Sequence, residues 1–334
     1  MTRLIAPAER RHRLGIRHAL ASPVTSPEEA CEAVVALHST DPAAMTLSVA
    51  ARTSATSPDD LHRALYTDRT LVRLLTMRRT VFAVPVTQAG AFLAATATSV
   101  GATQRRRTHA LLVEGGVTTE PERWLASAEK AALAFLAADT TGVFSTKDLA
   151  AADPLLATRM VYGSGAQAVE QSVASRLMTL WSSEGVVVRA TVAGGWTSSQ
   201  FRWASAEHWL GRTLDSSPAN IRTGSLVVAR DYVERYGPVT IDDLQWWTGW
   251  TKTHTRAILT ALLDDGVIAP VAVAEGEAFV GAEDSGEVAP PEPWGALLPA
   301  LDPSSMGWKH RDFSLGQHRD FVYDRNGNAG PTAW

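Results

Sequence analysis

Hydrophobic residues recur at helical spacing in the stretch RYGPVTIDDLQWWTGWTKTHTRAILTALLDDGVIAPV, which begins at Arg235. The Gly-Pro pair after Tyr236 ends a first helix, and Thr240 and Thr251 are N-cap residues for two more. Gly266 ends the last helix, and residues 267–273 then alternate as in a strand. Three helices followed by a strand within about 40 residues are typical of a winged helix, a relative of the helix-turn-helix.

The same order recurs earlier in the chain. From Thr140 to Ala204 the pattern predicts two helices, a third helix over GAQAVEQSVASRLMTLW, and a two-stranded wing around Gly194-Gly195. A degenerate copy begins at SATSPDD and ends in a strand from Leu75 to Val84. Between these copies lies a long helical stretch, about 88–138, interrupted by the basic segment QRRRTH.

The predicted fold class is mainly α with small β wings: tandem winged-helix domains plus a C-terminal β-rich domain. Proline, glycine and aromatic residues after position 275 predict short strands and turns there. The end, NGNAGPTAW, predicts a strand that stops abruptly, which leaves open whether the natural chain continues past Trp334. The expected domains are 1–138 (N-terminal helices, first winged helix and helical insert), 139–215, 216–274 and 275–334.

Composition narrows the class of protein. The 334 residues are 45% hydrophobic and 20% charged, as in an ordinary globular protein, and no apolar run is long enough to span a membrane. Arginines interrupt the N-terminus, so it is not a secretory signal. A single cysteine, Cys31, excludes an internal disulfide and a multi-thiolate metal site. We expect a cytoplasmic, monomeric protein with no membrane partner and no metal or other cofactor.

The charge is unevenly distributed. The net charge is −4, yet residues 1–110 contain 14 Lys and Arg against 8 Asp and Glu, a net of +6, which leaves −10 for the remainder. A basic first third on an acidic body suits a protein with one face that approaches a polyanion. Chance scatter of charges is the alternative.

The segment LHSTDP interrupts two apolar helices. Ser26 is predicted to cap a helix that runs to about Leu37. Asp41 precedes a proline, which disfavours helix, so residues 38–41 are expected to be extended with His38 and Thr40 on the same side. A simpler interpretation is a capped junction, in which Asp41 caps the next helix and His38 is a core residue.

The whole chain resembles the winged-helix DNA glycosylases of the AlkZ/YcaQ-like family. The resemblance rests on LHSTDP, where the family has Gln-hydrophobic-Gln or a close variant before Asp-Pro, and on the strand LVRLLTMRRTVFAVP. RYGPVTIDDLQWWTG and LLPALDPSSMGWKHRD follow in the same order as in the family. The central motif departs from the family pattern, because neither flanking residue is glutamine and Ser39 replaces the apolar residue.

The resemblance implies a repair enzyme that hydrolyses the N-glycosidic bond of alkylated or bulky-adducted purines in duplex DNA. His38 and Thr40 occupy the positions that orient a water in the family, and Asp41 either orients the imidazole or caps the helix. A neutral His38 would accept a proton from that water, a kind of step worth roughly 10²–10⁴-fold in rate. Because residues 1–110 contain no lysine, a Schiff-base lyase using an amine from this region is excluded, and we expect a monofunctional enzyme.

Arginines are the expected DNA contacts, since a guanidinium binds phosphate in a bidentate manner. Of the consecutive pair on the predicted strand, only one is expected to reach the site. The candidate DNA-binding residues are Arg52, Arg78, Arg79, Arg105, Arg106, Arg107, Lys309 and Arg311. Trp246, Trp247 and Trp250 are expected in the core rather than stacked on bases.

Two other functions remain open at the level of sequence. The altered LHST motif is compatible with a lesion-binding or regulatory protein that has the scaffold and no hydrolytic activity. A transcription factor that uses its winged helices for sequence readout is disfavoured by overall acidity and by the few basic residues in TKTHTRAILTALLDD.

Overall fold

The computed structural model describes residues 2–165, 168–214 and 217–334. The N-terminal part consists of an arginine-rich helix, three further short helices and a three-stranded antiparallel sheet in which β3 is central, in the order β1-β3-β2. These elements are α1 (Pro7–Arg17), α2 (Pro27–Ala33), β1 (Leu37–His38), α3 (Pro42–Ala50), α4 (Pro58–Tyr66), β2 (Leu71–Leu75) and β3 (Val81–Pro85).

Local capping explains where these helices begin. Ser26 and Ser57 each form a capping box, and a proline follows each of them at the first helical position. Helix α2 ends at Ala33, four residues before the predicted end, and Val35 then has a φ of 66°. The chain therefore turns early enough to place residues 37 and 38 on a strand.

One predicted strand is a hairpin. The segment expected as one strand from Leu75 to Val84 contains the last residue of β2, a 3₁₀ turn at Met77–Arg79, and most of β3. Arg78 and Arg79 have φ values of 53° and 61°, a region that residues other than glycine rarely occupy. The two arginines consequently lie in the turn rather than on a strand.

The connecting helices are α5 (Ala89–Thr96), α6 (Ala102–Glu114) and α7 (Pro121–Ala138), with a π-helical turn at Ala97–Gly101. The segment QRRRTH lies inside α6, so the predicted interruption is wrong. All three arginines are helical, and Arg105 is paired with Glu129 of α7 and with Glu184.

The second unit contains α8 (Thr146–Ala152), α9 (Pro154–Ala157), β4 (Arg159–Tyr162), β5 (Val169–Ser172), α10 (Val173–Glu184), β6 (Val187–Val192), β7 (Phe201–Ser205) and α11 (Ala206–Leu210). The wing around Gly194-Gly195 is present as the β6–β7 hairpin. The helix predicted from GAQAVEQ onward begins only at Val173, where Ser172 caps it. A β4–β5 hairpin precedes it, and residues 166 and 167 of that segment lie outside the described residues.

The third unit agrees most closely with prediction. It contains α12 (Ile221–Tyr236), α13 (Ile241–Thr248), α14 (Lys252–Asp264), β8 (Ile268–Val273) and β9 (Gly276–Gly281). Thr240 and Thr251 cap α13 and α14 as expected. Gly224 lets α12 approach α5 closely, because a Cβ there would lie 2.6 Å from the Ala91 carbonyl oxygen.

The C-terminal part is not β-rich. Its elements after residue 285 are β10 (Leu297–Leu298), α15 (Pro303–Met306), α16 (Asp312–Leu315), α17 (Arg319–Val322) and β11 (Thr332–Ala333). Asp302 caps α15 by accepting from the Ser304 N–H, so a local cap produces a helical turn where strands were expected. The structure is thus mainly α with small sheets.

Two large apolar clusters form the core. One joins the N-terminal sheet to α5, α12 and α13 and includes Trp247 and Trp250. The other packs the connecting helices α6 and α7 against the second unit. Among the described residues, none of the helices is both long and apolar enough to cross a membrane.

Candidate active site

The LHST segment forms the edge of the three-stranded sheet. Leu37 pairs with Ala83 and His38 with Phe82, and the Ser39 N–H donates to the Val81 carbonyl oxygen over 2.9 Å. The backbone of the motif is therefore fixed by β3. This confirms that the helix breaks before His38.

His38 is buried, with 9% of its surface exposed, and its ring meets Phe82 edge-on with the ring centroids 5.5 Å apart. In the described part of the chain no group hydrogen-bonds its buried Nδ1 atom. Burial, together with the positive charge of Arg78, lowers the pKa of His38 to about 4, and the charge of Asp41 acts in the opposite direction. The imidazole is consequently neutral near pH 7, and its Nδ1 can accept or donate a hydrogen bond, depending on the tautomer.

Ser39 points to the other side of the strand. It is fully buried, and Arg73 of β2 donates from Nε to its hydroxyl oxygen over 2.9 Å and from Nη2 to its carbonyl oxygen over 2.5 Å. The guanidinium thus holds the residue between His38 and Thr40. Arg73 is not among the residues predicted from the sequence, although a charged residue inside the apolar strand LVRLL indicates a buried polar contact.

Thr40 and Asp41 are exposed, unlike the two residues before them. Asp41 accepts from the Ala43 N–H over 2.9 Å and so caps α3, as the simpler interpretation of this residue holds. Its charge also acts on His38, since it raises the pKa of that imidazole. Within the described residues, no hydrogen bond joins His38 to Thr40.

Arg78 lies near His38 and packs on an aromatic ring. Its guanidinium carbon is 4.0 Å from the centre of the Trp246 ring, and that of Arg311 is 4.6 Å from the same centre. Burial and the charge of Arg311 lower the pKa of Arg78 to about 10. Trp246 is therefore a platform for two cations rather than a simple core residue, whereas Trp247 and Trp250 are buried as predicted.

The neighbouring cations differ in their surroundings. Arg79 is exposed in the hairpin turn. Arg311 is largely buried and donates to the carbonyl oxygens of Trp308 and Gly327 over 2.6 and 2.8 Å. Lys309 is half-exposed and pairs with Asp242 at 3.1 Å.

The structure corrects the assignment of Arg52 as a DNA contact. Its side chain is fully buried and bonds both carboxylate oxygens of Asp302, at 2.8 and 2.6 Å. It also donates to the Ser48 carbonyl oxygen and the Ser304 hydroxyl, so both terminal nitrogens are bonded inside the protein, and the remaining Nε is buried. A phosphate cannot reach it without unfolding this network.

The basic run on α6 is divided in the same way. Arg105 forms two ion pairs, with Glu129 at 2.9 Å and Glu184 at 2.7 Å, and these raise its pKa. Arg106 is exposed and bonds only Thr103 among the described residues, while Arg107 is exposed and lies 3.9 Å from Glu114. Arg106 and Arg107 are therefore the exposed arginines of this run.

Internal pairing also reduces the basic surface of the N-terminal third. Arg10 and Arg13 are buried and paired, Arg10 with Glu275 at 3.0 Å and Arg13 with Asp284 at 3.0 Å. The excess of positive charge in residues 1–110 is therefore neutralised in part by acids from the rest of the chain.

Three comparisons with known proteins bear on this site. A family model described as "DNA glycosylase AlkZ-like" matches residues 31–334. Among solved structures, the Streptomyces sahachiroi DNA glycosylase AlkZ is similar with a TM-score of 0.71 and 18% identity, over 97% of this chain and 84% of that one. A search among curated proteins gives no match.

Proposed function

Because the chain belongs to the AlkZ-like DNA glycosylase family, we propose that it is a monofunctional DNA glycosylase for alkylated or bulky-adducted purines in duplex DNA. The observation that carries the proposal is His38. Its imidazole is neutral, and its buried Nδ1 has no hydrogen-bond partner among the described residues. His38 belongs to LHST, the segment that corresponds to the family's motif. Buried polar atoms without partners are rare in proteins and call for an explanation, and a substrate water supplies one.

The reaction needs little from the protein. An N-alkylated purine already carries positive charge and leaves readily, so the enzyme must position a water and stabilise the positive charge that develops on the sugar. His38 accepts a hydrogen bond from that water, and the Thr40 hydroxyl holds it from the solvent side. With a pKa of about 4, His38 is a weak base that orients the water and takes its proton only as the new bond forms.

Asp41 serves two purposes in this scheme. It caps α3, and the negative charge of its carboxylate raises the pKa of His38. A neighbouring carboxylate favours the imidazolium that forms when the water loses its proton. It also opposes the positive charge of Arg78.

Arg78 and Arg311 are the proposed phosphate contacts nearest to the motif. Both guanidiniums are held by the Trp246 ring, which fixes their direction at a small cost in conformational freedom. Arg79, Arg106, Arg107 and Lys309 extend the contact along the backbone. Each phosphate contact adds nearly one unit to the slope of log binding constant against log salt concentration.

The remaining proposals concern organisation. The order of three helices and a hairpin in α12 to β9 supports a winged helix that continues through β9 to Gly281, beyond the predicted boundary at 274. The β6–β7 hairpin supports another over 139–215. We place residues 1–138 and 275–334 around the lesion, since they supply the LHST motif and Arg311. A monomer bound to chromosomal DNA in the cytoplasm, at the nucleoid, fits a repair role.

The proposal is tested by base release from duplex DNA with one N7-methylguanine, and then with a bulkier N7 adduct. Wild type is compared with His38→Ala, Thr40→Ala and, as a matched control, His62→Ala, since His62 is an exposed histidine on α4. We expect release to fall at least tenfold in His38→Ala and to stay unchanged in His62→Ala. The abasic product should remain uncleaved until base or heat is applied.

The second candidate is a lesion-binding protein without hydrolytic activity, and the missing bond between His38 and Thr40 favours it. No release by wild type, together with tight binding of the adducted duplex, would replace the first proposal with this one. Absence of both release and lesion-dependent binding would refute both.

A further inference from the structure

Arg73 is a buried cation with no acidic partner among the described residues. Only 1% of its surface is exposed, and its bonds go to neutral oxygens: two to Ser39, and one of 3.5 Å to the Tyr66 hydroxyl. Arg52 shows how this fold otherwise treats a buried guanidinium, because Asp302 bonds it at two atoms. Burying a charge without a counter-ion costs free energy, so a negative ligand near Arg73 would stabilise the protein.

A second guanidinium stands beside it. Arg189, on strand β6 of the second unit, lies 4.6 Å from the centre of the Phe201 ring, and Arg73 lies 4.1 Å from the same centre. The buried Nε atom of Arg189 has no hydrogen-bond partner in the described part of the chain. Burial and the charge of Arg73 lower the pKa of Arg189 to about 10, so the two cations act on each other.

No carboxylate of the described residues pairs with either arginine. The charges acting on Arg189 come from Arg73 and the Tyr66 hydroxyl. On the same wing, Arg202 is the contrast, since its guanidinium lies 3.5 Å from Asp148. Two guanidiniums that pack on one aromatic ring and have no acidic partner among the described residues suit an anion that accepts two hydrogen bonds.

We propose that Arg189, backed by Arg73, binds a phosphodiester group of the DNA strand next to the LHST motif. A guanidinium presents two parallel N–H groups that match two phosphate oxygens, and Phe201 holds the plane of Arg189 in place. Arg73 is bonded to Ser39, whose side chain points away from His38, so this phosphate lies on the opposite face of the LHST strand from His38. It is separate from the one at Arg78 and Arg311. The inference rests on the proposed function for its source of phosphate.

The position has a consequence for the second unit. Arg189 belongs to the β6–β7 wing, whereas Arg73 and Ser39 belong to the N-terminal sheet. In this proposal the wing contributes a DNA contact beside the LHST strand, instead of serving only as a support. It is a contact that the charge count of residues 1–110 could not reveal.

The test uses Arg189→Gln, which retains size and removes the charge, with Arg202→Gln as the matched control. Binding of an undamaged duplex is measured as a function of sodium chloride concentration. We expect the slope of log binding constant against log salt to be less steep by about 0.9 in Arg189→Gln and unchanged in Arg202→Gln. A second measurement follows the melting temperature of each protein in inorganic phosphate against sodium chloride of equal ionic strength.

Phosphate should raise the melting temperature of wild type and of Arg202→Gln more than that of Arg189→Gln. Equal salt slopes in wild type and in folded Arg189→Gln would overturn the inference, while base release by wild type would leave the proposed function intact. Stabilisation by phosphate with equal slopes would assign the site to a free phosphate compound, and would overturn the DNA assignment. If wild type binds no DNA, the proposed function fails, and the phosphate-dependent melting decides whether the anion site exists.

Discussion

The depressed pKa of His38 predicts how the stability of the protein depends on pH. In the unfolded chain the imidazole has an ordinary pKa near 6.5, and in the folded protein burial lowers it to about 4. The unfolded state therefore binds the proton more tightly than the folded state does. The contribution of this residue to stability is fully present above pH 6.5 and is lost as the pH falls through about 4.

The size of the effect follows from the shift. At pH 4.5 nearly every unfolded molecule carries the proton and only a minority of folded molecules do, so the linkage costs about 2.5 kcal/mol relative to pH 7. The pertinent comparison is with His38→Asn, which has a polar side chain that does not titrate. Other groups, including the buried His18, titrate in both proteins, and their effects cancel in the difference.

The assay is urea unfolding of both proteins at half-unit steps from pH 4.5 to pH 7.5, with the free energy of unfolding taken by linear extrapolation. We expect wild type to lose about 2.5 kcal/mol more than His38→Asn between pH 7 and pH 4.5. Above pH 6.5 the two curves should run parallel. Curves that are parallel over the whole range would refute the reasoning, because they would mean that the His38 nitrogen is paired or solvated in solution.

Three further predictions follow from the ion pairs and caps. Arg52→Ala should reduce the free energy of unfolding by about 3–5 kcal/mol, because Asp302 is left buried and unpaired, and a small loss in urea unfolding would contradict this. Asp41→Ala should cost about 1 kcal/mol by removal of the α3 cap and slow base release less than His38→Ala does; an equal loss of activity would make Asp41 part of the chemistry. Arg105→Ala should lower the melting temperature without changing the salt dependence of DNA binding, because its two ion pairs are lost. Arg106→Ala should make the salt dependence of DNA binding less steep and leave the melting temperature unchanged. Equal salt slopes in Arg106→Ala and wild type would remove Arg106 from the DNA contacts.

Sequence reasoning was most successful where structure is decided by neighbours along the chain. The caps at Ser26, Thr240 and Thr251 are hydrogen bonds between residues three positions apart, and each begins a helix as predicted. The break before His38 is local too, since Asp41 caps a helix whose first residue is Pro42. The family assignment also came from short motifs in a fixed order, and the match over residues 31–334 confirms it.

The hairpin of β2 and β3 shows a limit of the same reasoning. Its turn contains Arg78 and Arg79 in left-handed conformations. It contains no glycine or proline from which a turn could be predicted. Local preference favoured one strand there, and pairing between β2 and β3 prevailed over it. The position of Arg78 next to His38 is a result of that pairing.

By itself the sequence determined the caps, most of the helices, the family and the break in the helix before His38. Only the tertiary structure decided which charges are available. Arg52 meets Asp302 across 250 positions, Arg105 meets Glu184 across 79, and Arg73 instead meets the neutral Ser39. The physical reason is range: a cap is satisfied within one turn of helix, whereas a buried charge is satisfied by whichever distant segment the fold brings to it.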